Sequence, residues 1–512
     1  MDVRTLLRRA ARFHRDREAI VAGEQRLTFG EAWRRGLRLA SALLGLGLRP
    51  GDRVGVLEDN TLEAADFFLG TAAAGLVRVP LYPRNARPAH AWMLAHTGCR
   101  ALVVAERYAA DVAGMEREIP GLAPPIVRDR GYEAWLARHD ERDPDPPLDP
   151  ASPYVIRHTG GTTGKAKGVA YSHRSWLAAG RDWFYSFPPV RPGEVCLHVG
   201  PISHGSGYFF TPTWLSGGVN LLQDHFDAER TLDLMQTERV AYMFAVPTLL
   251  NLLARHPSAA GRTFPGLKVL QVGGSPITDD TALLARHVFG PVLYQGYGQT
   301  EALPITMMGP DEWFGELAGS TPLRSAGRPL PFAGLEIRGT RNETLPSGEA
   351  GEIAVRCEGQ MTGFWEDPAA TAERLVDGWV LTGDIGRLDE NGFLYVLDRK
   401  DDMIISGGFN VWPAEIENAI QTHPAVVEVA VFGVPDPRWG EAPLALCVID
   451  GRTPVTEREV VELCRRLLGS YKKPARVVFQ TEPLPKSPVG KVQRKLLREP
   501  YWRGQERRVA GS

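Results

Sequence analysis

Cysteine is scarce in this sequence: a chain of 512 residues has only five. They are far apart and form no CxxC pair; they are Cys99, Cys196, Cys357, Cys447 and Cys464. A disulfide framework or a cysteine-based zinc site is therefore not expected, and the thiols are predicted to be reduced and buried.

Long apolar runs and an excess of one charge are also missing. No run of 18 apolar residues occurs, and the N-terminal residues are too charged for the core of a signal peptide. The 59 basic residues are balanced by 61 acidic ones. We therefore expect a cytoplasmic protein with no stable membrane insertion and no general nucleic-acid-binding surface.

The residues that are present have the composition of a globular protein, with 43% hydrophobic and 23% charged residues. A predicted helix over 31–48 precedes a strand over 53–57, and a helix over 62–75 precedes a strand over 77–79. Such alternation predicts an α/β fold of mostly parallel sheets flanked by helices.

The pattern changes at the charged run 398–402. The elements predicted after it are helices over 414–422, 457–468 and 491–498 and strands over 426–434 and 476–479. We therefore expect an N-terminal domain over 1–398, a hinge over 399–402 and a small α+β domain over 403–512.

The strongest local signal is the loop 159–168, TGGTTGKAKG, which follows a strand-like YVIR. Its glycines free backbone N–H groups for anionic oxygens, its threonines add hydroxyl donors, and Lys165 and Lys167 add charge. Thr159 and Ala166 exclude a Walker A loop, which needs Gly and Ser or Thr there. The loop is predicted to bind phosphate.

Two further segments carry polar groups in turns. The run YQGYGQTE at 294–301 fails the dinucleotide fingerprint because Glu301 replaces its third glycine. It does place an aromatic ring, a hydroxyl and a carboxylate at a strand's carboxyl end, where open α/β sheets bind ligands. Asp384, in LTGD, is suited either to accept ribose hydroxyls or to cap a turn.

Together these segments resemble the adenylate-forming superfamily of acyl-CoA synthetases, luciferases and peptide-synthetase adenylation domains, from about residue 25 to residue 498. The matching motifs are the loop 159–168, GGSP at 273–276, YGQTE at 297–301, TGD at 382–384, the charged hinge segment 398–408 and GK at 490–491. Gly160 and Ala166 depart from the usual Ser and Pro.

The resemblance implies a large domain that holds ATP and an acid, and a small lid that rotates about Asp401. The acid and ATP would give acyl-AMP and pyrophosphate, with Mg²⁺ as the metal, and the acyl group would pass to a thiol. CoA is the expected thiol and partner, while a carrier protein and a second copy of the chain stay open as further partners.

The resemblance also assigns residues to roles. The catalytic residues implied are Lys491, His204 and Glu301, with Glu301 also binding the metal. The nucleotide-binding residues implied are Thr159, Gly160, Gly161, Thr162, Thr163, Gly164, Lys165, Lys167, Gly274, Ser275, Pro276, Gln295, Gly296, Tyr297, Gly298, Thr300, Asp384 and Arg399. The thiol-binding residues implied are Ser406, Gly407, Gly408, Tyr471 and Lys473, and the acid-binding residues are His204, Tyr208, Phe209 and Gly298.

The segment 201–210 bears on the acid. It offers aromatic rings and no carboxylate to pair with an ammonium group, which disfavours an α-amino acid and favours a hydrophobic one. Tyr208 and Phe209 are suited equally to line such a pocket or to pack in the core. A non-catalytic nucleotide-binding relative and an acyl-AMP ligase that loads a carrier protein stay open as alternatives, although the presence of Lys491, Glu301 and Asp384 favours an enzyme.

Overall fold

The computed structural model describes residues 1–159, 166–406, 409–469, 472–486 and 492–503. The strands are β1 Glu18–Ala22, β2 Gln25–Thr28, β3 Arg53–Leu57, β4 Val77–Pro80, β5 Cys99–Ala105, β6 Ile126–Arg128, β7 Pro153–Thr159, β8 Lys167–Ser172, β9 Val195–His198, β10 Val219–Leu222, β11 Tyr242–Ala245, β12 Val269–Val272, β13 Leu293–Gln299, β14 Ala302–Met308, β15 Arg328–Pro329, β16 Ala333–Arg338, β17 Gly351–Cys357, β18 Gly363–Phe364, β19 Leu375–Val376, β20 Trp379–Leu388, β21 Leu394–Arg399, β22 Ile404–Ser406, β23 Phe409–Val411, β24 Val426–Asp436, β25 Gly440–Ile449 and β26 Arg476–Gln480.

The helices alternate with these strands. They are α1 Val3–Phe13, α2 Phe29–Gly45, α3 Leu62–Ala73, α4 Arg87–His96, α5 Ala109–Val112, α6 Met115–Glu118, α7 Tyr132–Leu136, α8 His173–Tyr185, α9 Gly207–Leu215, α10 Ala228–Thr237, α11 Pro247–Arg255, α12 Asp279–Phe289, α13 Pro310–Trp313, α14 Pro368–Arg374, α15 Pro413–Gln421, α16 Glu457–Leu468 and α17 Arg494–Arg498. None of these helices is both long and apolar enough to cross a membrane.

Two large sheets have parallel centres. The nine-stranded sheet has the order β15-β14-β13-β12-β11-β9-β10-β1-β2, and its strands from β13 to β1 run parallel. The seven-stranded sheet has the order β18-β8-β7-β4-β3-β5-β6, and its strands from β7 to β6 run parallel. The predicted α/β fold of mostly parallel sheets is confirmed.

Two smaller sheets are mainly antiparallel. One has the order β16-β17-β20-β19, with β21 paired to β20. The other has the order β23-β22-β25-β24, with β26 added parallel to β25. Helices α15 and α16 pack their apolar residues on this last sheet, around Ile416, Val431 and Val460. The predicted α+β character of the C-terminal part is confirmed.

The chain divides into two compact units. The first comprises Met1–Leu335 and Val355–Val380, and the second comprises Glu336–Ala354 and Leu381–Ser512. The second unit therefore takes in residues on the N-terminal side of the predicted 399–402 boundary. A hinge is a property of motion, so the hinge over 399–402 stays a prediction.

Local sequence signals explain where helices begin. The side chains of Thr28 and Thr456 each accept a hydrogen bond from a backbone N–H in the first turn. The side chains of Glu31 and Glu459 accept one from the backbone N–H of the capping residue, which completes a capping box. Pro413 occupies the first turn of α15, where its missing N–H has no helical partner to lose.

All five cysteines are free thiols, and four of them are buried. Burial raises the pKa of Cys99 and of Cys196 to about 12, so these thiols stay protonated and unreactive. The predicted burial of the thiols holds for these four, while Cys357 is partly exposed.

Candidate active site

Two predicted adenine-binding turns meet in the first unit. Strands β12 and β13 lie side by side in parallel, with Val272 beside Gln295. The turn 273–276 follows β12 directly, and a Cβ atom added at Gly273 would lie 2.8 Å from the carbonyl oxygen of Gly296. Glycine is needed there because the two backbones touch. The side-chain oxygen Oε1 of Gln295 is buried there and has no hydrogen-bond partner in the described part of the chain.

The next turn joins β13 to β14 and carries Thr300 and Glu301. The hydroxyl of Tyr171, a buried residue of β8, donates to the carbonyl oxygen of Thr300 over 2.7 Å. The backbone N–H of Met361 donates to the carbonyl oxygen of Glu301 over 2.8 Å. Glu301 is 7% exposed, and Nη2 of Arg374 lies 3.9 Å from its Oε1.

The predicted phosphate loop joins the antiparallel strands β7 and β8. Thr159 and Lys167 face each other at its two ends, and the Lys167 ammonium lies 5.1 Å from the ring centre of Phe364. The remaining predicted members, Gly160, Gly161, Thr162, Thr163, Gly164 and Lys165, lie outside the described residues. Because Tyr171 belongs to the same hairpin, its hydrogen bond ties the root of this loop to the turn that carries Thr300.

Buried polar contacts fix the backbone of the segment 200–206. The Asn60 side chain donates to the carbonyl oxygen of Gly200 over 2.7 Å and accepts from the N–H of Ile202 over 2.8 Å. The buried His198 lies 2.8 Å from the Ser206 hydroxyl through Nδ1. Burial lowers the pKa of His198 to about 4, so this imidazole is neutral. These contacts set the position of His204.

His204 is half-buried between a cation and an aromatic ring. Nη2 of Arg157 lies 3.1 Å from Nδ1 of His204, and the ring of Tyr82 meets the imidazole edge-on at 5.1 Å. A guanidinium group can only donate, so Nδ1 accepts and the neutral ring carries its proton on Nε2.

Tyr208 and Phe209 belong to an aromatic cluster on α8 and α9. Tyr208 stacks between Trp176 and Trp183, with ring centres 4.8 and 5.3 Å away, and its hydroxyl has no hydrogen-bond partner among the described residues. Burial raises the pKa of Tyr208, and the adjacent Arg157 offsets part of that rise. Phe209 is fully buried and packs on Trp183. The place of Phe209 in the acid pocket stays a prediction.

The second unit brings the two predicted ribose-binding residues together. Asp384 on β20 and Arg399 on β21 are cross-strand neighbours, and Nε of Arg399 lies 2.7 Å from Oδ1 of Asp384. Asp384 is 4% exposed. The Thr382 hydroxyl donates to the carbonyl oxygen of Ile353 and accepts from the Asp384 N–H over 3.1 Å, which orients the turn.

A buried charge network lies close in sequence to the predicted hinge and the predicted catalytic lysine. Arg494 contacts Glu417 through Nη2 at 2.6 Å, Asp402 through Nη1 at 3.2 Å and Asp398 through Nη1 at 3.8 Å. Asp398 also accepts backbone hydrogen bonds from Arg399 and from the first turn of α15. Burial raises the pKa of Asp398 to about 7 despite the arginine. Asp401 lies within this chain segment, in a short 3₁₀ turn at residues 400–402.

The predicted thiol-binding residues are only partly described. Ser406 ends β22 and pairs with Phe409 and Gly440, and Lys473 is exposed. The amine of its neighbour Lys472 contacts Glu415 over 2.8 Å. Gly407, Gly408, Tyr471 and Lys491 lie outside the described residues, so their roles stay predictions.

Sequence reasoning missed the partners that hold these groups. Tyr171, Arg157 and Arg494 were not singled out, because each acts through a contact between segments far apart in the chain. Arg157 did leave a signal, since a charged residue inside an otherwise apolar strand needs a reason to be there.

Comparison with known proteins decides the family. A family model described as "AMP-binding enzyme" matches residues 7–365, and one described as "AMP-binding enzyme C-terminal domain" matches residues 415–491. The chain belongs to the AMP-binding enzyme family. The resemblance stated from the motifs is confirmed.

Similarity to individual members of this AMP-binding enzyme family extends over nearly the whole chain. A feruloyl-CoA synthase from Amycolatopsis is 35% identical, over 94% of this chain and 96% of its own. A fatty acid–[acyl-carrier-protein] ligase from Streptomyces coeruleorubidus is 32% identical, over 97% and 96%. The solved structure of an amide bond synthetase from Marinactinospora thermotolerans superimposes with a TM-score of 0.88 at 30% identity, over 98% of this chain and all of that one.

Proposed function

We propose that this enzyme joins a hydrophobic carboxylic acid to CoA, using ATP. The acid carboxylate attacks the α-phosphate of ATP to give acyl-AMP and pyrophosphate, and the CoA thiol then takes the acyl group and releases AMP. The observation that carries the proposal is the close approach of two backbones, at Gly273 in the turn after β12 and at Gly296 in β13. This contact lies at the carboxyl ends of parallel strands, where open α/β sheets bind nucleotides. The similarity to a feruloyl-CoA synthase supports it.

Each unit carries residues that we assign to nucleotide binding. Gly274, Ser275 and Pro276 border adenine, as do residues 295–298, and the unpartnered oxygen of Gln295 suits the adenine amino group. Asp384 accepts from the ribose hydroxyls, and Arg399 orients that carboxylate. Thr159, Lys167 and the loop between them bind the phosphates.

Glu301 holds Mg²⁺ in this proposal. Mg²⁺ commonly uses one or two carboxylates and completes its shell with phosphate oxygens and water. Within the described residues no group of three metal-binding side chains occurs, and the carboxylate of Glu301 is buried with its cationic neighbour 3.9 Å away. Both observations fit a site completed by the nucleotide. Bound Mg²⁺ would supply positive charge to the phosphate oxygens.

Three further side chains are assigned to contacts with the acid and the α-phosphate. Lys491 bridges the acid carboxylate and the α-phosphate as a point charge, which offsets the repulsion between two anions. Thr300 donates to an α-phosphate oxygen. His204 borders the acid and presents its Nε2–H as a donor, because Arg157 occupies Nδ1.

CoA is the thiol that the second unit favours. Ser406, Gly407 and Gly408 border the pantetheine arm, while Tyr471 and the exposed Lys473 meet the nucleotide end of CoA, which a carrier-bound arm lacks. Carrier-protein loading stays the second candidate because a relative at 32% identity is a fatty acid–[acyl-carrier-protein] ligase. When CoA and a phosphopantetheinylated carrier protein are supplied at equal concentrations, acyl-CoA should be the main product. If the acylated carrier protein is the main product instead, carrier-protein loading becomes the favoured function.

Asp384→Ala should lower kcat/KM for ATP by about 10–150-fold, the value of one hydrogen bond to a charged group. Asp389→Ala is a matched control, since Asp389 is also buried but its carboxylate accepts from the Phe393 N–H and the Tyr395 hydroxyl. The control should lower the melting temperature and leave KM for ATP unchanged. A similar rise in KM for both variants would make Asp384 a turn-forming residue.

The acid site should reject amino acids. The segment 201–210 has no carboxylate, and the buried Arg157 cation adjoins it, so a substrate ammonium group would be repelled and unpaired. The value of kcat/KM for 3-phenylpropanoic acid should exceed that for phenylalanine by at least about 10²-fold. If phenylalanine is activated equally well, its ammonium has a carboxylate partner elsewhere and the proposed pocket is wrong.

A further inference from the structure

We propose that Arg157 binds an acceptor oxygen on the body of the acid substrate, separate from the carboxylate that reacts. The substrate class is then a hydrophobic acid that also carries a phenol, carbonyl or second carboxylate group. This inference rests on the proposed function, because it takes His204 as a border of the acid site.

The guanidinium group of Arg157 has N–H donors without acceptors. The residue is 2% exposed, and Nη2 contacts His204. Nε and Nη1 are buried and have no hydrogen-bond partner, and within the described residues no carboxylate lies within 4 Å of the group. The guanidinium lies 4.4 Å from the ring centre of Tyr208, and the buried hydroxyl of that residue has no hydrogen bond of normal geometry among the described residues. Donors to an oxygen are therefore grouped beside His204.

The buried charge of Arg157 needs an acceptor. An arginine stays charged at any physiological pH, and burying its charge without an acceptor is strongly unfavourable. Two other buried arginines of this unit each have a carboxylate: Arg4 contacts Asp143, and Arg128 contacts Glu58. Arg4 and Arg128 also keep buried N–H groups without a partner, but each has a carboxylate beside its charge. The charge of Arg157 has no carboxylate beside it among the described residues, which favours an acceptor supplied by a bound substrate.

Arg78 shows what a purely structural buried arginine looks like here. It lies on the neighbouring strand β4, on the same face of the sheet as Arg157, and is 3% exposed. Three rings enclose its guanidinium, those of Phe68, Tyr154 and Trp176, at 3.7, 4.8 and 5.5 Å. Such cation–π contacts offset the loss of water. Arg78 also has two buried N–H groups without a partner, at Nε and Nη2, so the difference lies in the surroundings. Among the described residues Arg157 has one such ring, that of Tyr208, and it contacts His204.

The position of Arg157 along β7 fits contact with the acid rather than with the nucleotide base. Side chains two residues apart on a strand lie on the same face, about 7 Å apart, so Arg157 shares its face with Thr159 at the root of the phosphate loop. A substrate whose carboxylate reaches the phosphates then passes His204 with its body near Arg157.

The test compares matched acids that differ only in the acceptor oxygen: 4-hydroxycinnamic with cinnamic acid, and hexanedioic with hexanoic acid. For wild type, kcat/KM for pyrophosphate release should favour the acceptor-bearing acid of at least one pair by about 10–150-fold. Arg157→Met should bring that ratio close to 1, and Arg157→Lys should retain part of it. Arg78→Met, the matched control, should leave the ratio as in wild type.

The ratio of kcat/KM between the two acids of a pair distinguishes this role of Arg157 from other roles. Loss of the His204 contact, or of a contact with the reacting carboxylate, would lower both acids of a pair equally and leave the ratio unchanged; that result overturns the inference. A wild-type ratio near 1 in both pairs also overturns it. Binding of the same acids is measured by calorimetry in the same variants. A protein that releases no pyrophosphate would contradict the proposed function. The binding preference within each pair would still decide the role of Arg157.

Discussion

Lys491→Ala is expected to lower the rate of acyl-AMP formation by about 10²–10³-fold, the usual effect of removing one preorganised charge stabiliser. Two anions, the acid carboxylate and the α-phosphate, must approach each other in this step, and a lysine bridges them. Thiol transfer from supplied acyl-AMP should retain its rate, because the acyl-phosphate bond is already formed. Pyrophosphate release and acyl-CoA formation from synthetic acyl-AMP measure the two steps separately.

Lys486 supplies the control for this variant. It is a lysine five residues earlier in the chain, and its amine contacts Glu428 over 2.6 Å in a partly exposed ion pair. Lys486→Ala should change either rate by less than about threefold, since such pairs contribute little. Equal losses in both half-reactions for Lys491→Ala would mean that the lysine supports the structure rather than the chemistry.

Arg494→Met is expected to destabilise the second unit by about 3 kcal/mol, at the low end for breaking a buried ion pair, because 22% of the arginine side chain stays exposed. The variant leaves the carboxylates of Asp398 and Glu417 buried without their shared cation. Hydrogen exchange of the peptides from α15 and β24 reports this loss locally, even if the two units unfold separately.

The same network makes the stability of the second unit depend on pH. Burial raises the pKa of Asp398 to about 7 in the folded chain, above the ordinary value of about 3.9. The folded state therefore binds the extra proton, and the free energy of unfolding falls as pH rises from about 4 to 7. Removing Arg494 raises the pKa of Asp398 further, so the variant should lose more stability at pH 8 than at pH 5.

Arg465→Met tests whether the effect belongs to the network. Arg465 pairs with Glu462 on α16, but both side chains are more than half exposed. Its replacement should have little effect on stability and show no dependence on pH in this range, because exposed ion pairs contribute little. If Arg494→Met is no worse than this control, the buried network does not stabilise the unit.

The sequence predicted those elements whose signals are local. Strand β3 and helix α16 begin and end at the predicted residues, because an apolar run bounded by turns and a capping box are readable without tertiary contacts. Strand β25 is not among the predicted elements, and Pro443 within it is a residue that central strands usually exclude. In the structure β25 pairs with β24, and the Pro443 carbonyl accepts from the N–H of Ala475.

The candidate site shows the same division. The motifs predicted that residues 273–276 and 295–301 share a site, and the structure brings them together through parallel pairing of β12 and β13. The contact of Arg157 with His204 joins residues 47 positions apart. No local pattern reports such a contact, because it depends on how α9 and the segment before it pack on the sheet.

The proposed reaction is tested most directly by identifying the products formed from ATP, a hydrophobic acid and CoA. Without CoA, we expect an acid-dependent burst of about one pyrophosphate per enzyme, with acyl-AMP retained on the protein. Adding CoA should give steady turnover with equal amounts of AMP, pyrophosphate and acyl-CoA. Formation of ADP and phosphate, or release of AMP at the same rate without the acid, would contradict the account.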